Sequence, residues 1–400
     1  MENNYELGIM NVPQLRFPEF QGEWEKKKLG NIAVKIGDGL HGTPNYSFKT
    51  GFYFINGNNL IEGKISINKN TKEVGEKIYV SNNKHLSNNT LLLSINGTIG
   101  NVARYYGEKV MLGKSVAYFN FNEDSSFYFN LLKTSNIQNH FSSELTGTTI
   151  KNLSLKTLRE TEISFPSQPE QIRIANFFTI LDNKINQLKE KKALLEEYKK
   201  GMMQKIFSQE IRFKPALSEV EGDDDGKEFP DWVNKELGEL LNYEQPTKYL
   251  VNSTEYDDKH KTPVITAGKT FILGYTNEDD GIFETDLPVI AFDDFTTAIQ
   301  FVDFKFKVKS SAMKILIAKK DVNIKFVFEA MQRIKFAIGG HGRHWISVFS
   351  QIPIKYPSSK EQTKIANFLS KIDDKIKTVN EQIEESKEYK KGLLQKMYCV

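Results

Sequence analysis

The sequence predicts an α+β protein with two mixed α/β domains, separated by two long antiparallel coiled-coil helices in a pseudo-two-fold arrangement. The main observation is a repeat. Residues 165–207 and 356–398 coincide at about 19 of 43 positions, and a repeat of this length indicates an internal duplication. The second observation is a shorter echo, Phe-Pro followed by Trp and then Leu-Gly, which begins near residues 17 and 229.

Each copy of the repeat predicts a helix that begins with a capping box. At residues 167–170, the serine oxygen is expected to accept a hydrogen bond from a first-turn amide, and the Glu170 carboxylate to accept one from the serine amide. Residues 358–361 repeat this pattern. Both copies end in Tyr-Lys-Lys-Gly, so Gly201 and Gly392 indicate either helix ends or places where helices cross closely.

The apolar positions of each copy step by fours and threes, which predicts a coiled-coil seam. Two separate amphipathic helices, each packing on its own domain, are the alternative. Matching seams within one chain favour pairing of the two copies. The predicted seam residues are Ile174, Phe178, Leu181, Ile185, Leu188 and Leu195 in the first copy, and Ile365, Leu369, Ile372, Ile376, Val379 and Ile383 in the second.

Length and composition limit the class of protein. A chain of 400 residues favours two or three domains, and 39% hydrophobic residues permit large cores. No apolar run is long enough to predict a membrane span, and the N-terminus does not resemble a secretory signal. The single cysteine, Cys399, excludes internal disulfides and favours a reducing, cytoplasmic location. A net charge of +3 neither requires nor excludes nucleic-acid binding.

The repeats divide the chain into five predicted segments. These are a globular domain at 1–164, a helix at 165–207, a linker at 208–228, a second globular domain at 229–355 and a second helix at 356–400. The linker is acidic, and its three aspartates at 223–225 are expected to form a solvated turn and not a metal site.

Short apolar runs between Gly- and Asn-rich turns predict strands in both globular domains. Apart from the opening motif and the helix, the two domains barely align. The opening motif and the helix, which we call the frame, are therefore duplicated, and the segments between them have diverged. The predicted strands are 52–56, 91–95, 101–106 and 116–121 in the first domain, and 264–266, 271–275, 288–292, 298–308 and 313–317 in the second.

The sequence contains no complete catalytic motif. Residues 107–115 resemble a phosphate-binding loop, but five residues separate the glycines where the motif needs four, and the run lies between two predicted strands. His341 and His344 have near-ligand spacing but no third ligand nearby, so Arg343 and the adjacent glycines favour nucleic-acid contact over zinc. We therefore predict a non-enzyme with no catalytic residues and no metal site.

Several polar turns have side chains suited to DNA contact, including a predicted loop at 35–46. Amides pair with adenine, carboxylates with the cytosine amino group and arginine with guanine, while lysine and threonine bind phosphates. An ordinary polar turn is the alternative for each. The candidates are Lys35, His41, Thr43, Asn56, Asn58, Asn96, Thr98, Lys114, Thr148, Lys151, Thr266, Lys269, Asp293, Thr296, Arg343 and His344.

Together, these features resemble the specificity subunit of type I restriction–modification systems over nearly the whole chain. The paired Pro-Ser-x-x-Glu-Gln-x-x-Ile-Ala-Asn-Phe helices, with their Tyr-Lys-Lys-Gly-x-x-Gln-Lys ends, carry most of the resemblance. Residues 147–154, 301–304 and 339–347 carry the rest.

The resemblance implies that the globular domains are target recognition domains, each reading one half of a bipartite double-stranded DNA site. It implies that the helices dock two methyltransferase (modification) subunits, and through them restriction subunits with motor and nuclease activity. S-adenosylmethionine, ATP and Mg would then lie on the partner subunits, and this chain would bind no cofactor. Because the two domains differ, their half-sites would differ. A coiled-coil interaction scaffold without DNA recognition is the alternative.

The length of the helices predicts the spacing of the half-sites. A seam of roughly 30 residues is about 45 Å long, slightly more than the distance of about 34 Å for one turn of DNA. We predict that lengthening the first helix by about one turn will change the gap between the half-sites. Sequencing of modified bases measures that gap, and an unchanged methylated motif would contradict the prediction.

Overall fold

A computed structural model describes residues 11–147, 151–215, 228–268, 270–335 and 344–399. The chain forms two compact units. Unit 1 comprises residues 1–189 and 380–400, and unit 2 comprises residues 190–379. The boundaries fall inside the two long helices, so each unit contains one globular segment, the start of one helix and the end of the other.

The globular part of unit 1 is built from short strands and short helices. The strands are β1 (Glu25–Lys28), β2 (Lys35–Asp38), β3 (Tyr46–Ser47), β4 (Tyr53–Ile55), β5 (Leu60–Ile61), β6 (Lys64–Ile65), β7 (Lys72–Val74), β8 (Thr90–Ser94), β9 (Val102–Arg104), β10 (Val110–Leu112), β11 (Val116–Asn120) and β12 (Glu162–Phe165). The helices are α1 (Leu29–Ile32), α2 (Glu76–Ser81), α3 (Ser126–Leu131), α4 (Ser135–Ser143) and α5 (Leu155–Glu160). The first long helix, α6 (Gln168–Phe207), follows.

Unit 2 continues from the end of α6 with a similar set of elements. They are β13 (Val233–Glu236), α7 (Leu237–Leu240), β14 (Leu241–Glu244), β15 (Thr262–Ile265), β16 (Ile272–Thr276), β17 (Val289–Asp293), β18 (Ile299–Val302), β19 (Lys307–Val308), β20 (Met313–Ala318), α8 (Ile324–Met331), β21 (Pro353–Tyr356) and the second long helix, α9 (Ser359–Met397).

The sheets of the two units follow one plan. The antiparallel order β2-β11-β8-β9 in unit 1 matches β14-β20-β17-β18 in unit 2. The pair β1–β12 matches β13–β21, and the parallel pair β4–β10 matches β15–β19. The duplication therefore extends into the segments whose sequences barely align. Buried strands require only suitable apolar residues, so a sheet plan persists after residue identity is lost.

Two strand predictions were wrong in detail. The predicted strand 298–308 is two strands, β18 and β19, which belong to different sheets because the chain changes sheet between Val302 and Lys307. The predicted loop at 35–46 begins instead with β2, since Ile36 is buried and residues 35–38 pair with β11.

The long helices pack antiparallel within each unit. In unit 1, Ile174 and Phe178 near the start of α6 share a core with Leu393 and Met397 near the end of α9. In unit 2, a core near the start of α9 includes Ile365, Leu369 and Ile372, and it receives Met202 and Ile206 from the end of α6. The start of each helix thus packs against the end of the other.

The predicted seam positions are buried or half-buried. Ile174, Phe178, Ile185, Ile365, Leu369, Ile372, Val379 and Ile383 are buried, whereas Leu181, Leu188, Leu195 and Ile376 are half-buried.

Gly201 and Gly392 neither end a helix nor mark a close crossing. Both lie inside the long helices, and an added Cβ would meet nothing within 4 Å at either position. The apolar residues of the next turn, Ile206 and Met397, are buried. Their burial contributes more than the cost of about 1 kcal/mol for a glycine inside a helix.

The prediction that each capping-box glutamate accepts a hydrogen bond from the serine amide was also wrong. Arg16 Nε and Nη2 donate to the two carboxylate oxygens of Glu170, each at 2.7 Å. Arg212 binds Glu361 in the same way, at 3.2 and 2.9 Å, and these hydrogen bonds raise the pKa of Arg212. Glu170 and Glu361 are almost fully buried. A buried carboxylate requires a charged partner, which the serine amide cannot supply.

An aromatic triad recurs in both units. In unit 1, Trp24, Phe127 and Tyr398 lie 5.0–6.4 Å apart between ring centroids. In unit 2, the triad is Trp232, Phe326 and Phe207, at 5.4–6.1 Å. Each triad joins the start of a globular segment, its short helix and the end of a long helix.

We predict that Arg16→Met lowers the free energy of unfolding by about 3 kcal/mol, because Glu170 then remains buried without its charged partner. Urea unfolding measures the change. Lys248→Met is the control, because the ion pair of Lys248 with Glu244 is exposed on the lysine side and is expected to contribute less than about 1 kcal/mol. Equal losses in the two variants would contradict the prediction.

Candidate nucleic-acid interface

Several turns of unit 1 meet at one end of its two four-stranded sheets. We call this set loop cluster 1; it consists of residues 39–45, 56–59, 95–100, 113–115 and 151–152. The turns follow β2, β4, β8 and β10, or precede β11, so the sheet plan itself brings them together.

Backbone hydrogen bonds join the turns of loop cluster 1. Leu40 N donates to the carbonyl of Leu112 at 2.8 Å, and Gly57 N donates to Ser115 Oγ at 2.9 Å. A side chain at Gly39 would clash with the Leu112 carbonyl, so this close approach requires glycine. The cluster is therefore a connected surface and not a set of independent loops.

Most sequence-predicted candidates of unit 1 lie in loop cluster 1. His41, Thr43, Asn58, Thr98, Lys114 and Lys151 are exposed there, and Asn56 and Asn96 are half-buried. The Asn56 side chain is engaged within the cluster, since its Oδ1 accepts from Ser115 Oγ at 2.9 Å. His41 Nε2 lies 2.7 Å from Asp38 Oδ2.

Lys35 lies apart from the other candidates. It is the first residue of β2, and loop cluster 1 begins beyond the last residue of that strand. Thr148 lies outside the described residues, as do Lys269 and Arg343 of unit 2.

Loop cluster 2, in unit 2, consists of residues 266–268, 293–297 and 344–348. Asp293 Oδ1 accepts from the amides of Phe295 and Thr296 at 2.9 and 2.7 Å, which shapes the turn between β17 and β18. Thr266 Oγ1 accepts from Gly268 N at 3.1 Å in the turn between β15 and β16. Thr296 is exposed, whereas the Asp293 and Thr266 side chains are half-buried.

Asp294 connects two parts of loop cluster 2. Its Oδ1 accepts from the amides of His344 and Trp345 at 3.0 and 2.8 Å, which holds the chain directly after residues 336–343. Its Oδ2 lies 3.6 Å from Lys314 Nζ, and both side chains are almost fully buried. His344 is buried as well, and Asp294 holds its backbone amide.

The two clusters offer different chemistry. Loop cluster 1 presents amides, hydroxyls and lysines, whereas the described part of loop cluster 2 presents a carboxylate and hydroxyls. Over the residues that the structure describes, no group of three or more His, Cys, Asp or Glu is placed to hold a metal ion. Within the same ranges, no helix has the length and apolar character needed to cross a membrane.

Sequence reasoning missed the residues that hold the frame together. Arg16 and Arg212 are the clearest cases, because each is preceded by an aliphatic residue and followed by phenylalanine. Phe17 packs edge-on against Phe177 at 5.8 Å, and Phe213 packs against Phe368 in the same way at 5.6 Å. The repeated aliphatic-Arg-Phe triplet was therefore an available signal, although its second copy lies within the predicted linker.

Comparison with known proteins places the chain in a family. Residues 21–197 and 230–387 match the family model described as the type I restriction modification DNA specificity domain. The chain therefore belongs to the type I restriction–modification specificity family, and the resemblance read from the sequence is confirmed. The specificity subunit of these systems is non-catalytic, in agreement with the predicted non-enzyme.

Individual relatives agree with this assignment. The type I restriction enzyme EcoR124I/EcoR124II specificity subunit of Escherichia coli is 50% identical over 147 residues, which are 34% of this chain and 36% of that protein. The match thus spans about a third of that relative. The putative type I restriction enzyme MjaX specificity subunit of Methanocaldococcus jannaschii is 24% identical over 418 aligned positions, covering 96% of this chain and 95% of that protein.

A solved structure shows the same fold. The S subunit of a type I restriction–modification system from M. genitalium superposes with a TM-score of 0.61 at 18% identity, covering 97% of this chain and 99% of that chain. The predicted α+β class, with two β-rich domains and two long helices packed together, is confirmed.

We predict that Asp294→Ala lowers stability by about 3 kcal/mol, because Lys314 remains buried without its carboxylate, and that it speeds hydrogen exchange at the Trp345 amide. The neighbouring Asp293→Ala removes only hydrogen bonds to turn amides and is expected to cost about 1 kcal/mol. Thermal unfolding and hydrogen exchange measure both effects. A larger loss for Asp293→Ala would contradict the assignment.

Proposed function

We propose that the chain reads an asymmetric bipartite DNA target, with one half-site read by each unit. The observation that carries this proposal is the contrast between a repeated frame and unrepeated loops. The Arg–Glu pairs, the aromatic triads and the sheet plan occur in both units, whereas loop clusters 1 and 2 share no pattern of residues. A common frame with different loops suits two recognition domains that bind different half-sites. The whole target is therefore not a palindrome.

The exposed side chains of loop cluster 1 suit direct readout of bases. Asn58 supplies an amide, which pairs with the adenine edge, and Thr98 supplies a hydroxyl. Lys114 and Lys151 supply positive charge for phosphates, which set the position of a protein on the duplex. In loop cluster 2, Thr296 has the corresponding role of an exposed polar side chain.

The helices supply the proposed docking surface for two methyltransferase subunits and, through them, restriction subunits. Exposed apolar side chains lie along α6 at Ile172, Ile180, Leu194 and Tyr198, and along α9 at Tyr389. Apolar side chains that do not serve the internal core are available for protein contact. S-adenosylmethionine, ATP and Mg lie on those partners under this proposal, and the complex acts in the cytoplasm on double-stranded DNA.

Variants of each loop cluster test whether each unit reads its own half-site. We expect Asn58→Ala combined with Thr98→Val to relax or change one half-site of the methylated motif, and Thr296→Val to affect only the other. Each base contact that is lost reduces discrimination by about 1–3 kcal/mol. Sequencing of modified bases, in cells that contain the chain and its partner subunits, reads both half-sites at once.

The exposed Lys69→Gln, in a turn outside loop cluster 1, is the matched control and leaves the motif unchanged. Changes in both half-sites from one set of substitutions would contradict the proposal. Affinity for the duplex should also fall steeply with salt, because phosphate contacts release counterions. Partner binding that is independent of DNA and of salt would favour the interaction scaffold.

A further inference from the structure

A cleft in unit 1 has a large excess of basic side chains. It lies between the β5–β6 hairpin and the long helices of this unit, and its two adjoining cavities have volumes of about 660 and 270 Å³. Seven of the lining residues are Lys or Arg, and two are Asp or Glu. Lys133 lines both cavities, so we call this site the Lys133 cleft.

Both acidic side chains of the cleft already have partners. Asp182 Oδ1 accepts from Lys390 Nζ at 2.5 Å, and Glu62 Oε2 accepts from Lys189 Nζ at 2.6 Å. Within the described ranges, Lys133 is paired with no carboxylate, and its ammonium lies 4.5 Å from the ring centroid of Phe129. The positive charge of the cleft is therefore only partly neutralised.

The helix of unit 2 that corresponds to α3 holds a buried carboxylate. Phe127 and Phe326 have the same place in the two aromatic triads, which aligns α3 with α8 and puts Asn130 at the position of Glu329. Glu329 is fully buried and accepts from Lys199 at 3.0 Å and from Lys325 at 2.9 Å.

The charged residues around these positions also differ between the units. The repeat places Lys390 at the position of Lys199, and both bind an aspartate of the other helix within their own unit. The alignment of α3 with α8 also puts Lys133 at the position of Gln332. The same alignment puts Ser126 at the position of Lys325. Unit 1 therefore has two uncharged residues in place of the Glu329–Lys325 ion pair, and it has Lys133 in place of an uncharged glutamine.

The surroundings of Lys133 destabilise the charged form of its side chain. Burial, followed by repulsion from Lys390, lowers the pKa of Lys133 to about 8; Arg104 adds to the effect, and Asp182 opposes it. An anion bound beside the ammonium would favour the charged form, as Glu329 and Asp373 do for Lys325, whose pKa they raise.

We propose that the Lys133 cleft binds a phosphate group. A phosphate has more negative charge and more acceptor oxygens than a carboxylate, which suits a cleft with this excess of lysines. The group belongs either to a free nucleotide or polyphosphate, or to a nucleic-acid backbone. The proposal does not depend on the proposed reading of a bipartite target.

Titration of the full chain with pyrophosphate at low ionic strength, followed by calorimetry, tests the proposal. The wild-type chain is expected to bind saturably. Lys133→Gln, which introduces the residue found at the aligned position of unit 2, weakens binding at least about tenfold, as expected for loss of a charge-assisted hydrogen bond. Lys69→Gln, outside the cleft, leaves the affinity unchanged.

Thermal unfolding separates loss of binding from loss of folding. Lys133→Gln is expected to be at least as stable as the wild type at pH 7, because it removes an amine whose charged form is disfavoured by burial. No binding of pyrophosphate by the wild-type chain would overturn the proposal. Equal affinities of Lys133→Gln and Lys69→Gln would overturn it as well.

Competition identifies the source of the phosphate. Displacement of pyrophosphate by a nucleoside triphosphate, but not by a short duplex of random sequence, assigns the cleft to free nucleotides. Displacement by the duplex alone assigns it to a DNA backbone, and Lys133→Gln should then also reduce the salt dependence of duplex binding. Displacement by neither competitor would contradict the phosphate assignment.

Discussion

Two buried ion pairs, Arg16–Glu170 and Arg212–Glu361, are the interactions on which the frame of this protein depends. Each glutamate lies in the first turn of a long helix, and each arginine lies about 150 residues earlier in the sequence, before the strands of the same unit. A buried carboxylate without a partner costs several kcal/mol, so the chain must return to the arginine when it begins the helix. Both ends of each globular segment are thereby held at one place.

The contacts around these ion pairs are also repeated in both units. The aromatic triads fill the space between the opening Trp, the short helix and the end of a long helix in both units. The triads include no residue of loop clusters 1 and 2, although Ile95 and Trp345 of those clusters are buried in the same cores. Under the proposed function, substitution of the exposed polar residues of the loops changes which DNA is recognised and retains the packed frame, because core packing and exposed polar turns respond to different residues.

The duplication also shows where the two units differ for electrostatic reasons. Glu329 neutralises two lysines inside unit 2, whereas Asn130 at the aligned position of unit 1 provides no charge. Such a difference is visible only when the units are compared by contacts, because α3 and α8 share few residues apart from the two phenylalanines of the Phe-x-Phe pattern. A duplicated frame thus allows one copy to hold an internal ion pair, Glu329–Lys325, at positions where the other copy has uncharged residues.

The sequence by itself determined the two long helices, their seam and the family, because hydrophobic periodicity and a repeat are properties of neighbouring positions. It also predicted most strands, and it predicted most of the polar residues that meet in loop cluster 1. Tertiary structure alone decided the partner of Glu170, the division of residues 298–308 between two sheets, and the continuation of α6 through Gly201. In each of these cases the stabilising energy comes from residues that are far away in the sequence. A buried carboxylate is stabilised by a distant arginine, and a strand or helical turn is stabilised by burial in a core formed by distant residues.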